Sequence, residues 1–285
     1  MTKLPPPLSL ALLLAVSVLV GWRPLVDTFA LALQNSAYTH ILLILPISAA
    51  LISLEWQSLR PMVAPNVRTG SALLVMAVLV AGFVRGWSAS LPSDVQLSIR
   101  MFALVLAWIG AFVLCFGSRV SRSVLFPLCF LFGLVPLPQL ALNEIVWRLQ
   151  QGSALASYWL FAGFGIPVVQ DGVILTIPGL TVEVAKECSS IRSSSMLLVT
   201  TMVLAQLLLR SPWRKALVIG VAVLLSVAKN GFRIFTIAML TTRVDPGYLT
   251  GRLHHEGGIV FFMIALIGVF ALIWILKRGE DVSLT

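Results

Sequence analysis

Charged side chains are scarce in this sequence, and their scarcity limits what the protein can be. They account for 11% of the 285 residues, whereas a soluble globular domain carries about 25%. Hydrophobic residues make up 59% of the chain, so water is not its main solvent. The composition therefore excludes an ordinary soluble domain and predicts an all-α polytopic integral membrane protein.

Cysteine and histidine are rare as well, with three of each. Three cysteines cannot all pair with one another, which excludes a disulfide framework. Cys115 and Cys129 lie in apolar runs, where a free thiol behaves as a small hydrophobic side chain, whereas Cys188 lies in a polar stretch. We expect no cofactor and no metal, because a metal site needs three or four suitably arranged ligands.

The net charge of +9 does not indicate a nucleic-acid partner. The basic residues form short clusters between apolar runs, and in a membrane protein such clusters set the topology. The segment RSPWRK (210–215) and the pair Lys277–Arg278 favour cytoplasmic N- and C-termini and an even number of spans. The lipid bilayer is therefore the expected environment.

Eight apolar runs approach the roughly 20 residues that a helix needs to cross a bilayer. They cover residues 7–22, 38–55, 71–87, 97–117, 122–137, 189–209, 214–240 and 257–277. We expect N-terminal transmembrane helices over 1–117, a second membrane region over 118–278 and a short cytoplasmic tail over 279–285.

The longest loop, about 138–187, lies outside on this topology. Its first part, Leu142–Phe161, is amphipathic enough to lie on the membrane surface. Farther along, two β-rich stretches flank Pro178-Gly179, a dipeptide that suits the centre of a type II turn. Polar and apolar side chains alternate from Thr181 to Val184, as in a half-buried strand. The sequence predicts a small extracytoplasmic β-hairpin before the sixth span.

Cys188 stands in the stretch KECSSIRSSSM, where this loop meets the sixth apolar run. The start of a helix and the nearby cations Lys186 and Arg192 all favour the thiolate form of a cysteine. The thiol is therefore a candidate nucleophile. The alternative is that Cys188 is only a small residue at the start of a helix.

Lys229, Asn230 and Arg233 interrupt the otherwise apolar seventh run. Their spacing of three and four residues places them on about one face of a helix. An arginine inside a span costs about 2.5–3.5 kcal/mol on insertion scales, so such residues usually serve function. The alternative for Arg233 is that it reaches the headgroups from the outer half of the span. Asn230 lies deeper and has no such explanation.

His254 and His255 open the eighth apolar run. Adjacent residues on a helix point about 100° apart, so proton transfer by one histidine is a better interpretation than a metal site. On the predicted topology Cys188, Arg233 and the histidine pair lie at the same face of the membrane and at similar depth. A nucleophile, a cation and a base indicate a cysteine transferase or protease.

Three motifs at these positions resemble those of the exosortase/archaeosortase family of membrane-embedded cysteine transpeptidases. They are Glu187-Cys188-Ser189-Ser190-Ile191, Asn230-Gly231-Phe232-Arg233, and the stretch from His254 to Phe262. The similarity covers roughly residues 120–275, in order and spacing. Two features depart from the family pattern: Ser190 replaces the usual glycine, and the histidine is doubled. The alignment selects His254 as the family histidine, with His255 as the fallback.

The resemblance implies a cysteine-type transpeptidase of the bacterial cytoplasmic (inner) membrane, with its active site facing outward. Its substrates would be exported proteins with a C-terminal sorting tail of the PEP-CTERM type. Cys188, Arg233 and His254 would be catalytic, supported by Asn230, Ser189 and Glu187.

The sequence leaves four points open: the tail motif, the acceptor of the cleaved product, the choice between hydrolysis and transfer, and the oligomeric state. The competing interpretations are a polytopic transporter, and a scaffold for envelope or polysaccharide assembly in which the cysteine is inert. A transporter usually carries its polar residues near the midplane in repeat-related helices, and no repeat is apparent in this sequence.

Overall fold

The computed structural model describes residues 5–87, 89–184, 191–249 and 258–282. Within these ranges the chain forms ten α-helices and one three-stranded antiparallel sheet. It divides into two compact units, residues 1–141 and residues 142–285.

The first unit contains the helices α1 (Pro6–Val20), α2 (Trp22–Gln34), α3 (Ile41–Leu59), α4 (Val67–Gly86), α5 (Ser93–Ser123) and α6 (Leu125–Phe130). Short 3₁₀ segments lie at Ser36–Tyr38, Arg60–Met62 and Leu131–Leu134. Helix α7 (Gln139–Gly163) begins at the end of the first unit and continues into the second. The second unit also contains β1 (Val169–Asp171), β2 (Ile174–Ile177), β3 (Leu180–Glu183), α8 (Ile191–Leu208), α9 (Pro212–Arg243), a 3₁₀ segment (Pro246–Leu249) and α10 (Gly258–Val282).

Six helical segments in the described part of the chain are long and apolar enough to cross a membrane. They are Ser36–Met62, Val67–Gly86, Ser93–Ser123, Ile191–Leu208, Pro212–Arg243 and Gly258–Glu280. Two bent pairs of helices raise the number to eight if each pair counts as one span. The prediction of an all-α polytopic membrane protein with about eight spans is confirmed.

The two bent pairs show where the sequence prediction lacked detail. Helices α1 and α2 meet at 76° beside Gly21, and Leu125–Leu134 meets α7 at 100°. The second bend ends the predicted run 122–137 early, because Pro136 and Pro138 cannot continue a helix. The predicted surface segment Leu142–Phe161 belongs to α7.

Side chains from other helices bind the backbone at this proline-containing bend. The hydroxyl groups of Tyr38 and Ser98 donate to the carbonyl oxygens of Leu137 (2.8 Å) and Pro136 (2.6 Å), respectively. The N–H of Gln139 donates to Asp94 Oδ2 at 2.7 Å. These bonds satisfy polar groups that irregular backbone would otherwise leave unpaired, a strict requirement at membrane depth.

Helix α5 is interrupted at Gly117, where φ is 87° and ψ is 167°. The chain passes Ala64 so closely there that a Cβ on Gly117 would lie 1.8 Å from the Ala64 carbonyl oxygen. The Ala64 N–H donates to the Phe116 carbonyl oxygen at 3.2 Å. The predicted boundary after residue 117 coincides with this interruption, and the division of the chain there into two membrane regions stays a prediction.

The small sheet of the second unit has the order β1-β2-β3. Strands β2 and β3 form the predicted hairpin, with Ile177 paired to Leu180 across Pro178-Gly179. Gly179 adopts φ 83°, the sign that the second central position of a type II turn requires. Strand β1 was not predicted, and it pairs with β2 in antiparallel register from Val169 to Asp171.

One face of this sheet is apolar and buried. Leu175 and Val184 are 1% and 0% exposed, and they pack in one cluster with Phe161 of α7 and with Ile234 and Phe235 of α9. The alternation predicted from Thr181 to Val184 is confirmed, because Thr181 and Glu183 are exposed. The sheet is therefore packed against the helices that carry the candidate site.

Helices α8, α9 and α10 share a second apolar core. Its fully buried members include Leu197 of α8, Val218 of α9 and Val269 of α10. The buried Glu280 accepts the backbone N–H groups of Arg210 (2.9 Å) and Ser211 (2.8 Å) in the turn before α9. Helix α10 itself continues to Val282, beyond residue 279, where the cytoplasmic tail was predicted to begin.

Candidate functional site

The polar residues of α9 lie on a face of the helix that packs against other helices. Lys229 and Asn230 are 7% and 2% exposed, and Gly231 beside them is buried as well. Arg233, one turn farther along, is half-buried. Lys229 contacts α8 and Asn230 contacts α7, so the common face of these residues with Arg233 stays a prediction.

Toward α8, the polar contacts of α9 around Lys229 are made with serine hydroxyl groups. The ammonium group of Lys229 donates a short hydrogen bond to Ser193 Oγ. One turn earlier, the hydroxyl group of Ser226 donates to Ser194 Oγ. Two consecutive serines near the start of the described α8 are therefore held by two residues of α9, and both belong to the stretch KECSSIRSSSM, which contains Cys188.

Toward α7, the contacts of α9 around Asn230 are made by small residues and an amide. Asn230 Nδ2 donates to Ser153 Oγ at 2.9 Å, and Ser157 Oγ donates to the Gly231 carbonyl oxygen at 3.1 Å. A Cβ on Gly231 would lie 2.5 Å from the Cβ of Ala156. Small residues allow two backbones to approach closely, and hydroxyl and amide groups then bridge them. Asn230 therefore fixes α9 against α7.

The strand that leads toward Cys188 is also fixed at its end. Gln150 Nε2 of α7 donates to the Val184 carbonyl oxygen at 2.6 Å, and both residues are buried. The Val184 N–H donates to the Val173 carbonyl oxygen at 2.9 Å. The last described residue before Cys188 thus has its backbone carbonyl bound by α7 and its backbone N–H bound by Val173, next to β2.

Several predicted site residues lie outside the described residues. They are Glu187, Cys188, Ser189, His254 and His255. The positions of Arg233 and Asn230 are described, and they form part of one polar cluster with Lys229. The roles assigned to all seven residues stay predictions.

The α7 residues that bind this part of α9 were not identified from the sequence. Ser153 and Ser157 lie 77 and 74 residues before the α9 residues that they bind, Asn230 and Gly231. Gln150, which binds the Val184 carbonyl, was not identified either. The run of serines at 193–195 is the one visible signal for these contacts, because it lies close to Cys188 in the sequence. Among the described residues, no group of three or more His, Cys, Asp or Glu side chains is placed to hold a metal ion.

The comparison with known families gives one result that covers most of the chain. Residues 32–271 match the model of the family described as transmembrane exosortase (Exosortase_EpsH). This match confirms the resemblance drawn from the three sequence motifs, and it extends the resemblance into the N-terminal helices. No curated protein and no solved structure matches the chain.

Proposed function

Because the chain belongs to the transmembrane exosortase family, we propose that it is a cysteine transpeptidase acting on C-terminal sorting tails of exported proteins. Membership of the family supports a membrane transpeptidase. The nucleophile, the tail motif and the side of the membrane are parts of the proposal. It places the enzyme in the bacterial cytoplasmic membrane, with the active site on the extracytoplasmic side.

The observation that carries the proposal is the polar cluster on α9. Within an apolar helix long enough to cross a membrane, Lys229 and Asn230 are buried and Arg233 is half-buried. Polar and charged groups in such a helix are costly and mark functional sites by default. Contacts from this cluster reach Ser193, five residues after Cys188. The cluster therefore contacts the helix that follows the proposed nucleophile in the chain.

The proposed reaction begins with attack of the Cys188 thiolate on the scissile carbonyl carbon of the substrate. A carbon–sulfur bond forms, and the carbonyl oxygen becomes an oxyanion that the Arg233 guanidinium stabilises. The peptide carbon–nitrogen bond then breaks as His254 gives a proton to the leaving amine. The product is a thioester on Cys188.

An acceptor amine resolves the thioester in the second half of the reaction. Its nitrogen attacks the thioester carbonyl and gives a proton to His254, which became neutral in the first half of the reaction; the carbon–sulfur bond then breaks, and Cys188 regains the thiolate form. If water attacks instead, the enzyme is an endopeptidase. The substrate resembles a PEP-CTERM tail: a short Pro-Glu-Pro-type motif, one spanning helix and a basic cluster.

Processing of a reporter with a Pro-Glu-Pro-type tail tests the proposal. The reporter is co-expressed with the wild-type chain, with Cys188→Ala, or with Cys115→Ala as the matched control for loss of a thiol. We expect tail loss with the wild type and with Cys115→Ala, and an uncut reporter with Cys188→Ala. A hydroxylamine-sensitive adduct between reporter and enzyme would identify the thioester.

Equal processing by the wild type and Cys188→Ala would contradict the proposed chemistry. A series of tails that no variant cuts would favour a transporter or a scaffold with an inert cysteine. The two histidines are separated by the same assay: His254→Ala should abolish processing, and His255→Ala should retain it. Arg233→Lys keeps the charge but loses the planar pair of donors, so we expect it to remain strongly impaired.

A further inference from the structure

Lys229 is a buried cation on α9, and no step of the proposed reaction involves it. Its side chain lies between α8 and α9 and is 7% exposed, so it does not extend to water as a lysine near a helix end would. Burial of an ammonium group is costly unless hydrogen bonds replace its hydration. The bond to Ser193 Oγ is one such replacement.

The partner of Lys229 is more informative than its burial. Ser193 lies near the start of the described α8, five residues after Cys188 in the chain. Ser226 of α9, which is 5% exposed, binds the next residue of α8, Ser194. Two bonds from one helix therefore fix two consecutive residues close to the proposed nucleophile.

The opposite ends of the same two helices provide a comparison. Lys215, near the start of α9, donates to Gln206 Oε1 near the end of α8 at 2.7 Å. Lys215 and Lys229 thus make the same kind of bond, from a lysine of α9 to a polar side chain of α8. They are 14 residues apart, or about 21 Å along the helix axis. Substitution of Lys215 is therefore a control for substitution of Lys229. A change in the reactivity of Cys188 that only the Lys229 substitution causes must arise at the end of α8 that follows Cys188.

We propose that Lys229 is a positioning residue for Cys188: through Ser193, and together with the Ser226–Ser194 pair, it fixes the described start of α8, the segment that follows Cys188 in the chain. This inference rests on the proposed role of Cys188 as the nucleophile. It assigns Lys229 no contact with the substrate. Its ammonium group stands one turn before Arg233 on α9, and it therefore adds positive charge to the same end of the site.

The rate at which Cys188 reacts with N-ethylmaleimide tests this proposal in the full-length, detergent-solubilised protein. Cys115→Ala and Cys129→Ala remove the other two thiols, so that the reagent reports on Cys188 alone. In this background Lys229→Met should react about tenfold more slowly, the order expected for the loss of one charge-assisted hydrogen bond. Lys229→Arg keeps a charged donor and should recover most of the wild-type rate, whereas a merely space-filling role would favour Met over Arg.

Lys215→Met is the matched control, because it removes the equivalent bond at the far end of α8 and α9. We expect its alkylation rate to equal that of the parent protein. A parent-like rate in Lys229→Met would overturn the proposal. So would an equal slowing in Lys229→Met and Lys215→Met, because the effect would then be a general consequence of removing a lysine between the two helices.

Ser193→Ala keeps the test decisive if Lys229→Met does not fold. It deletes one oxygen atom from the pair and should slow alkylation in the same direction, and a parent-like rate would count against the proposal. Where both single variants fold, the double variant should react no more slowly than Lys229→Met, because both changes remove the same bond. If the two substitutions slow alkylation independently, so that their factors multiply in the double variant, the pairing of Lys229 with Ser193 is refuted.

This readout does not depend on cleavage of any tail. If the wild type alkylates rapidly and the Lys229 comparison holds, but no tail is cut, the proposed function fails and the positioning role survives. If tails are cut and the Lys229 variants alkylate at the parent rate, the function stands and the positioning role fails.

Discussion

Gly231 is the position at which a single methyl group tests the packing of the candidate site. A Cβ added there would lie 2.5 Å from the Ala156 Cβ and 3.1 Å from the Ser157 backbone nitrogen. These atoms belong to the body of α7 and cannot turn away as a flexible side chain would. Gly231→Ala should therefore push α9 away from α7.

The size of the effect follows from three contributions. Overpacking of a close contact costs about 1–3 kcal/mol. Stretching the hydrogen bond from Ser157 to the Gly231 carbonyl, or the adjacent one from Asn230, costs about 0.6 kcal/mol in a membrane protein. Replacing glycine by alanine inside a helix favours folding by about 1 kcal/mol, and a second glycine of the same helix measures this contribution directly.

Gly220, also in α9, has open space where its Cβ would lie. Gly220→Ala should therefore be neutral or stabilising, and Gly231→Ala should be less stable than Gly220→Ala by about 2–3 kcal/mol. The assay is unfolding by SDS in mixed micelles, followed by circular dichroism at constant total detergent. A Gly231→Ala protein as stable as Gly220→Ala would refute the close contact between α7 and α9.

Two further predictions concern backbone conformation and a buried carboxylate. Gly117→Ala should destabilise the chain by about 3 kcal/mol in the same assay, because φ 87° is unfavourable for alanine and its Cβ would overlap the Ala64 carbonyl. Gly82→Ala is the control and should not destabilise the chain, because the space around Gly82 is open. Equal stability of the two variants would contradict the interruption of α5. Glu280→Gln weakens two backbone hydrogen bonds at the turn before α9. It should therefore lower the melting temperature more than Glu144→Gln, because the ion pair of Glu144 is exposed to solvent. The reverse order of melting temperatures would refute this role of Glu280.

The sequence was sufficient wherever the structure follows from local patterns. Apolar length located most of the helices but missed α2, and the alternation from Thr181 to Val184 located a strand with the correct face buried. Pro178-Gly179 located the turn, because few other dipeptides combine a fixed φ with a positive one. Strand β1 was missed because three residues are too few for a period, and its conformation depends on pairing with β2.

The contacts of the candidate site could not be predicted, because they join distant parts of the chain. The sequence identified Asn230 as unusual by its depth in an apolar run, but nothing near it indicated that Ser153 would receive its bond. The bend before α7 is a different case. Pro136 and Pro138 were visible in the sequence, and the angle of 100° depends on the partners that Tyr38, Ser98 and Asp94 supply.

The interruption at Gly117 also limits the length of the uninterrupted part of α5. The uninterrupted part of α5, from Ser93 to Phe116, has about 24 residues and therefore measures about 36 Å along its axis. The hydrocarbon core of a bilayer is about 30 Å thick, and a modest tilt absorbs the difference. Without the glycine, the full helix would extend about 46 Å and carry Arg119 and Arg122 onward in the same direction. The backbone conformation of one residue thus matches a 31-residue helix to the thickness of a membrane.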